Sequence, residues 1–302
     1  MCRQRIRCFG AYCLLFFETA LFPPLHVWAQ EPPKPDEVSI PFLRLTNDAD
    51  GEPKALQAAV VNFHAKHPTQ GQLRVDLIAA VHVADREYYE QLNRIFAGYD
   101  SVLYELIAEA DLRPGAVHQK RTSGVIGWMQ RSMKQVLGLE FQLDHIDYTP
   151  DNFVHADFSP EEFSREMRKR GESFVETLFQ AVGRSLTVEV STRNQVTDLE
   201  VLSMLFSSNR EIQLKKVLAR QLAETDFASF WGGNDTTLIA GRNQKAIRIL
   251  KTEMAAGKRR LAIFYGAGHM ADFRQRLTKE LDFQLAQTTW LTAWNFRDHT
   301  LK

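Results

Sequence analysis

Two stretches far apart in the chain are laid out alike, and that layout limits the folds open to it. Leu77-Ile78-Ala79-Ala80-Val81-His82-Val83-Ala84-Asp85 and Ile263-Phe264-Tyr265-Gly266-Ala267-Gly268-His269-Met270-Ala271-Asp272 each pass from an apolar strand through small residues to a histidine, then through Ala-Asp into a helical pattern. Strand followed by helix belongs to α/β architecture, in which the carboxyl ends of strands gather backbone donors and helix dipoles. Both imidazoles are expected at that edge. Gly266 and Gly268 permit a sharp turn or a close approach at the least steric cost. Asp85 and Asp272 are read as helix N-caps.

The remaining pattern agrees with layers. Leu56 to His64 and Val75 to Val83 are apolar, β-branched runs joined by a polar connection with Pro68 and Gly71, which predicts a hairpin. Tyr88, Tyr89, Leu92 and Ile95 then fall at helical spacing, and Val102 to Ile107 reads as a buried strand, so strand, helix and strand form a crossover unit. Hairpin and crossover together predict α/β with a mixed central sheet and flanking helices. Helices are expected from Val125 to Leu137, from Ser159-Pro160-Glu161-Glu162 with its capping box, and over Glu200–Phe206, Ile212–Leu222, Thr236–Ile249 and Asp272–Glu280. Strands return at Leu261 to Tyr265 and Phe283 to Trp294.

Residues 1–29 read as a secretory signal: Arg3, Arg5 and Arg7 precede an apolar run from Phe9 to Phe22, and Val27-Trp28-Ala29 offers small-residue cleavage geometry. The run is interrupted by Glu18 and Pro23-Pro24, short of what a membrane span needs. The protein is thus expected to be exported, periplasmic or extracellular, and to touch a membrane only through an uncleaved leader. Residues 30–37 form a Pro-rich tether, and residues 38–302 one α/β domain. All three cysteines, Cys2, Cys8 and Cys13, lie in the leader, which leaves no disulfide, thiolate ligand or thiol nucleophile beyond it. The 37 basic and 37 acidic side chains cancel over the whole chain, and without the leader the formal charge is −2; no footprint for nucleic acid is present.

The chemistry is therefore left to His, carboxylate, Ser, Tyr and Arg. Glu105 is the one charged residue of Val102-Leu103-Tyr104-Glu105-Leu106-Ile107, and a carboxylate buried there needs a cation or donors. A metal held by two His and a Glu with a position open to water meets that need; Glu105 as a general base, its proton affinity raised by burial, is the alternative. Arg242, on a largely apolar helical face, either clamps a substrate carboxylate or neutralises Glu105. His155 and Asp157 end another short apolar run and are candidates for the same edge, although Asp157 is also a natural turn cap ahead of Ser159. Tyr104 and Tyr265 flank the motifs and are read as packing before oxyanion donors. No Gly-x-Ser-x-Gly elbow, phosphate loop, dinucleotide fingerprint or His-Glu-x-x-His helix is present.

With small-x-x-His motifs near both ends, Glu105 in its strand and Arg242-Asn243 on a late helix, the chain resembles the TraB/Tiki (GumN-like) family, related to the erythromycin-esterase and ChaN-like superfamily. The resemblance runs from about Leu56 to Trp294; Ala79 stands where the first motif ordinarily has Gly. It implies an extracytoplasmic, metal-dependent hydrolase, peptidase-like, that cleaves a peptide or small amide or ester. His82, His269 and Glu105 would hold a divalent ion, with Glu105 and Arg242 as catalytic residues; imidazole and carboxylate donors suit zinc, manganese, cobalt or iron, and His155, from its place at a strand end, is added as a third catalytic candidate. A non-catalytic protein binding haem or metal is the alternative that the ChaN-like branch implies, and a pseudoenzyme acting as a periplasmic interaction partner is a third reading.

Overall fold

The computed structural model describes residues 41–67, 73–109, 137–172, 209–224 and 235–296, all within one compact unit, Pro41–Lys302. The sequence readings for 1–40, 125–136 and 200–206 lie outside the described residues. Nine strands are described: β1 Leu43–Asn47, β2 Pro53–Ala65, β3 Arg74–Ala80, β4 Val83–Ala84, β5 Ser101–Tyr104, β6 Glu140–Phe141, β7 Phe153–His155, β8 Arg260–Gly266 and β9 Phe283–Asn295. The helices are α1 Arg86–Phe96, α2 Gln142–His145, α3 Pro160–Lys169, α4 Arg210–Glu224, α5 Arg242–Ala255 and α6 Met270–Glu280. A π-helical turn, Thr237–Gly241, leads into α5, and a 3-10 turn, Ala267–His269, joins β8 to α6.

The architecture is α/β with a mixed central sheet flanked by helices. β3, β8, β5 and β7 pair in parallel, in that order, and β2 adds antiparallel to β3. β1 pairs with β2 over Pro53–Ala58 and β3 over Val60–His64, so those two share one edge of the long β2, and β9 runs along the other. The predicted hairpin and crossover are thus both present, with β8 inserted between β3 and β5. Strand composition follows from position: β3, β5 and β8, covered on both faces, are buried along nearly their whole length and carry apolar runs rather than alternation.

The parallel half sets its carboxyl ends side by side, with Ala80 opposite Gly266 and Tyr104 opposite both Phe264 and His155. α1 secures the first of these ends. Its apolar stripe of Tyr88, Tyr89, Leu92 and Phe96 is buried, and the two tyrosine hydroxyls donate to the carbonyls of Ala79 (2.8 Å) and Val81 (3.0 Å), where β3 leaves the sheet ladder. Ala79 lies inside β3 and is buried. The predicted cap of α3 is observed in full: Ser159 Oγ accepts from Glu162 N, the Glu162 carboxylate accepts from Ser159 N, and Pro160 opens the helix.

Three local expectations are corrected. The strand expected over Val102–Ile107 stops at Tyr104, so Glu105 lies just past the sheet, its side chain 13% exposed, rather than within it. Asp85 holds the N-cap position of α1 but does not cap it; its carboxylate accepts from Lys215 Nζ (3.1 Å) and Asn295 N (2.6 Å). Asp272 lies in the first turn of α6, where it accepts from Asn243 and Arg276 instead of capping. In the last two the helix start is reached through tertiary partners, which outcompete a single local hydrogen bond.

Candidate functional site

The ends of β3, β5, β7 and β8 deliver His82, Glu105, Asp157 and His269 to one edge, and the π-helical turn delivers Arg242 to the same place. Arg242 is the hub. Its Nη2 donates to Glu105 Oε1 at 2.7 Å and also to Asp157, its Nε donates to Asp157 Oδ1 at 3.0 Å, and its Nη1 lies 3.4 Å from His269 Nε2. Asp157 is fully buried and also accepts from Phe158 N. The turn-cap reading of Asp157 thus captures only part of its role: it is half of a buried pair with Arg242. The guanidinium fork is occupied by protein carboxylates, so of the two expected uses of Arg242 the structure displays neutralisation, not a clamp held open for a ligand.

Glu105 is met from several directions. Its Oε2 accepts from the backbone N–H of Gly266 at 2.7 Å. A Cβ at position 266 would stand 3.0 Å from His82 Nε2 and 3.3 Å from Glu105 Oε2, so this glycine is required by close approach. Burial pushes the Glu105 carboxyl up, but the charge of Arg242, the imidazoles of His269 and His82 and the Gly266 N–H together hold it well below the usual carboxylate range. The expectation of a raised proton affinity is overturned: Glu105 stays ionised and is a weak base.

The two histidines are oriented by amides. Asn243 Nδ2 donates to the His269 carbonyl (3.0 Å) and to Asp272 (2.8 Å), which leaves its Oδ1 to accept from His269 Nδ1 at 2.7 Å. The lone pair of His269 is therefore on Nε2, facing Arg242 and lying 3.5 Å from Glu105 Oε1. Burial first, with Arg242 adding to it against the pull of Glu105, lowers the His269 pKa to about 4, so the ring is neutral at pH 7. His82 has the corresponding arrangement: its Nδ1 lies 2.9 Å from Gln142 Oε1, and Gln142 Nε2 donates to the Tyr148 hydroxyl. Its Nε2 is left toward Gly266, and its side chain is exposed.

His155, Tyr104 and Tyr265 are placed differently. His155 donates from Nε2 to the carbonyl of Leu106 at 2.6 Å, which braces the segment leaving β5. Tyr104 packs among Tyr148, Phe153 and His155, and the buried Tyr265 hydroxyl donates to the Ala156 carbonyl, in agreement with packing. Sequence reasoning missed Gln142 altogether, since nothing in its spacing points to His82. The sequence signal for Asp157 was present, a carboxylate at the end of an apolar run, but an ordinary turn cap explained it equally well.

Three metal ligands were expected of His82, Glu105 and His269. The donor types suit a divalent ion, and Nδ1–H groups tied to amide oxygens leave both Nε2 atoms in the orientation a metal ligand takes. In the observed arrangement the Arg242 guanidinium bonds Glu105 and lies beside His269, and among the described residues no three His, Cys, Asp or Glu side chains form a group able to hold a metal. A cation is already shared there, and it is a guanidinium. Two carboxylates, Glu105 and Asp157, face one Arg, so this carboxylate–guanidinium cluster is anionic.

A cavity of about 340 Å³ opens on this cluster, with His82, Glu105 and Arg242 on its wall. No protein-family model, curated protein or solved structure matches the chain.

Proposed function

We propose that this protein is an exported hydrolase of TraB/Tiki type that cleaves an amide or ester with water activated at His82. One observation carries the reading: an exposed imidazole, its Nδ1 engaged by Gln142 and its Nε2 beside Gly266, lies on the wall of a cavity together with the paired Glu105 and Arg242. His82 takes the proton of water as the oxygen adds to the acyl carbon. Arg242, pinned by two carboxylates and next to neutral His269, offsets part of their negative charge and fixes that wall of the cavity. Glu105 holds Arg242 and the Gly266 backbone in place. The leader of residues 1–29 supports export, and the order of His82, Glu105, Arg242 and His269 along the chain supports the family.

The test is turnover of a panel of peptides, aryl amides and aryl esters by the purified protein and by His82→Gln. The expected result is hydrolysis of at least one class and a loss of about 10²- to 10⁴-fold in His82→Gln. Turnover in no class, or turnover that survives the substitution, removes the reading. The amide-oriented histidines and the anionic balance of the cluster favour a second version, in which a divalent ion displaces Arg242 from His269. Elemental analysis of the wild type beside the His82→Ala/His269→Ala double variant decides between the two: one equivalent of metal lost with the histidines supports the second version, and negligible metal in both supports the first. Retention of a ligand such as haem without turnover would instead support the binding-protein alternative.

A further inference from the structure

The apolar part of the cavity wall is built from residues adjacent in sequence to the polar ones. Leu106 and Ile107 follow Glu105 directly, and Phe141 and Leu143 bracket Gln142. All four are half-buried. Glu105 to Ile107 has left the sheet, so strand alternation no longer sends neighbouring side chains to opposite faces. Phe141 is held by the short pairing of β6 with β4, in which it stands opposite Val83, the residue after His82. Phe141 belongs to neither of the two apolar clusters formed by the described residues. A large ring beside the reactive imidazole and outside the core still has water to shed, and a ligand that covers it is rewarded for doing so.

The polar part of the wall selects by charge. Glu105 and Asp157 outnumber Arg242, and the guanidinium already serves both of them and His269. A substrate carboxylate would add negative charge to an anionic cluster, and among the described residues of the cavity wall Arg242, already bonded to both carboxylates, is the one cation.

We propose that the site takes neutral esters or amides with an apolar acyl group, which lies on Leu106, Ile107, Phe141 and Leu143 while its carbonyl carbon stands next to His82. This rests on the hydrolase reading above. Water adds its oxygen to the carbonyl carbon as its proton passes to His82 Nε2. The bond from that carbon to the leaving oxygen or nitrogen then breaks, and the leaving group takes the proton back from His82. The products are an apolar carboxylic acid and an alcohol or amine. At neutral pH the acid ionises, and the same negative cluster that rejects anionic substrates favours its release.

The experiment measures kcat/KM of the full protein for p-nitrophenyl acetate, butyrate, hexanoate and hemisuccinate, with His82→Ala as the background. Expected is a rise of about two- to fourfold for each methylene covered, and a rate for the hemisuccinate at least about tenfold below that for the butyrate, which has as many acyl carbons. Phe141→Ala is expected to lower the hexanoate rate by more than the acetate rate, and Phe141→Leu to recover part of the difference. Equal rates along the series, or a preference for the hemisuccinate, overturn the inference and leave the hydrolase reading standing. Hydrolysis of none of the esters above the His82→Ala background, combined with none of the amides in the wider panel, overturns both.

Discussion

The two histidine motifs share a sequence layout and an amide oxygen on each Nδ1, but not their burial. The first His follows a strand that stops before it: β3 ends at Ala80, the chain turns under the hydroxyls of Tyr88 and Tyr89, and His82 emerges exposed, tethered to Gln142. The second continues its strand into a 3-10 turn, and His269 is buried against Tyr265, tethered to Asn243 and facing Arg242. The difference teaches that similar strand-to-helix exits can supply one imidazole exposed on a cavity wall and another buried and held neutral as part of an electrostatic frame. Burial, not the identity of the residue, separates the roles.

That contrast can be broken or sharpened by substitution. The largest expected effect is on turnover: His82→Gln lowers kcat/KM by about 10²- to 10⁴-fold with a stability change under about 1 kcal/mol, because the side chain is exposed. Equal losses of folding and activity would erase the distinction between the motifs. Next is Arg242→Leu, expected to cost about 3–5 kcal/mol in a denaturant titration, since it strands fully buried Asp157 and nearly buried Glu105 without their cation. If Arg242→Leu is fully folded and as stable as wild type, the frame is not electrostatic.

The third effect is on pH dependence. His269 has its pKa lowered in the fold to about 4 from 6.5, so between those values the unfolded chain binds a proton that the folded one does not. Stability therefore rises with pH across that window, by about 2–3 kcal/mol in all, and is lost as pH falls. Glu105, also lowered, acts with the same sign below 4.5: its contribution is present above that value and is lost on further acidification. His269→Gln is expected to flatten the slope between pH 6.5 and pH 4 in stability curves measured across pH, and an unchanged slope would place a charged His269 in the fold. Smallest is Gln142→Leu, expected to lower kcat by about tenfold while leaving KM and stability nearly unchanged, because it frees the His82 ring to rotate. A variant with wild-type kcat would show that Gln142 does not position His82.

How much of this was legible in the chain depends on the range of the interaction. The capping box at Ser159, the stripe of α1 and the apolar runs of β3, β5 and β8 were readable because periodicity and neighbouring residues decide them. The end of β5 at Tyr104 was not, because Val102–Ile107 is apolar throughout except at Glu105 and only the partner strands determine where pairing stops. Asp85 and Asp272 looked like caps for the same reason: the partners that displaced capping, Lys215 and Asn243, come from helices much further along or back in the chain.

From the sequence alone came the α/β class, the arrival of two histidines at strand ends, and the need of Glu105 for a positive partner. These follow from hydrophobic period and from the cost of burying a charge, which hold whatever the chain does elsewhere. Only the tertiary structure decided which cation answers Glu105, which carboxylate shares it, and which histidine is left open to a cavity. Those outcomes depend on order within the sheet: placing β8 between β3 and β5 sets Gly266 against both His82 and Glu105 and brings Arg242 over them, and no local pattern encodes strand order.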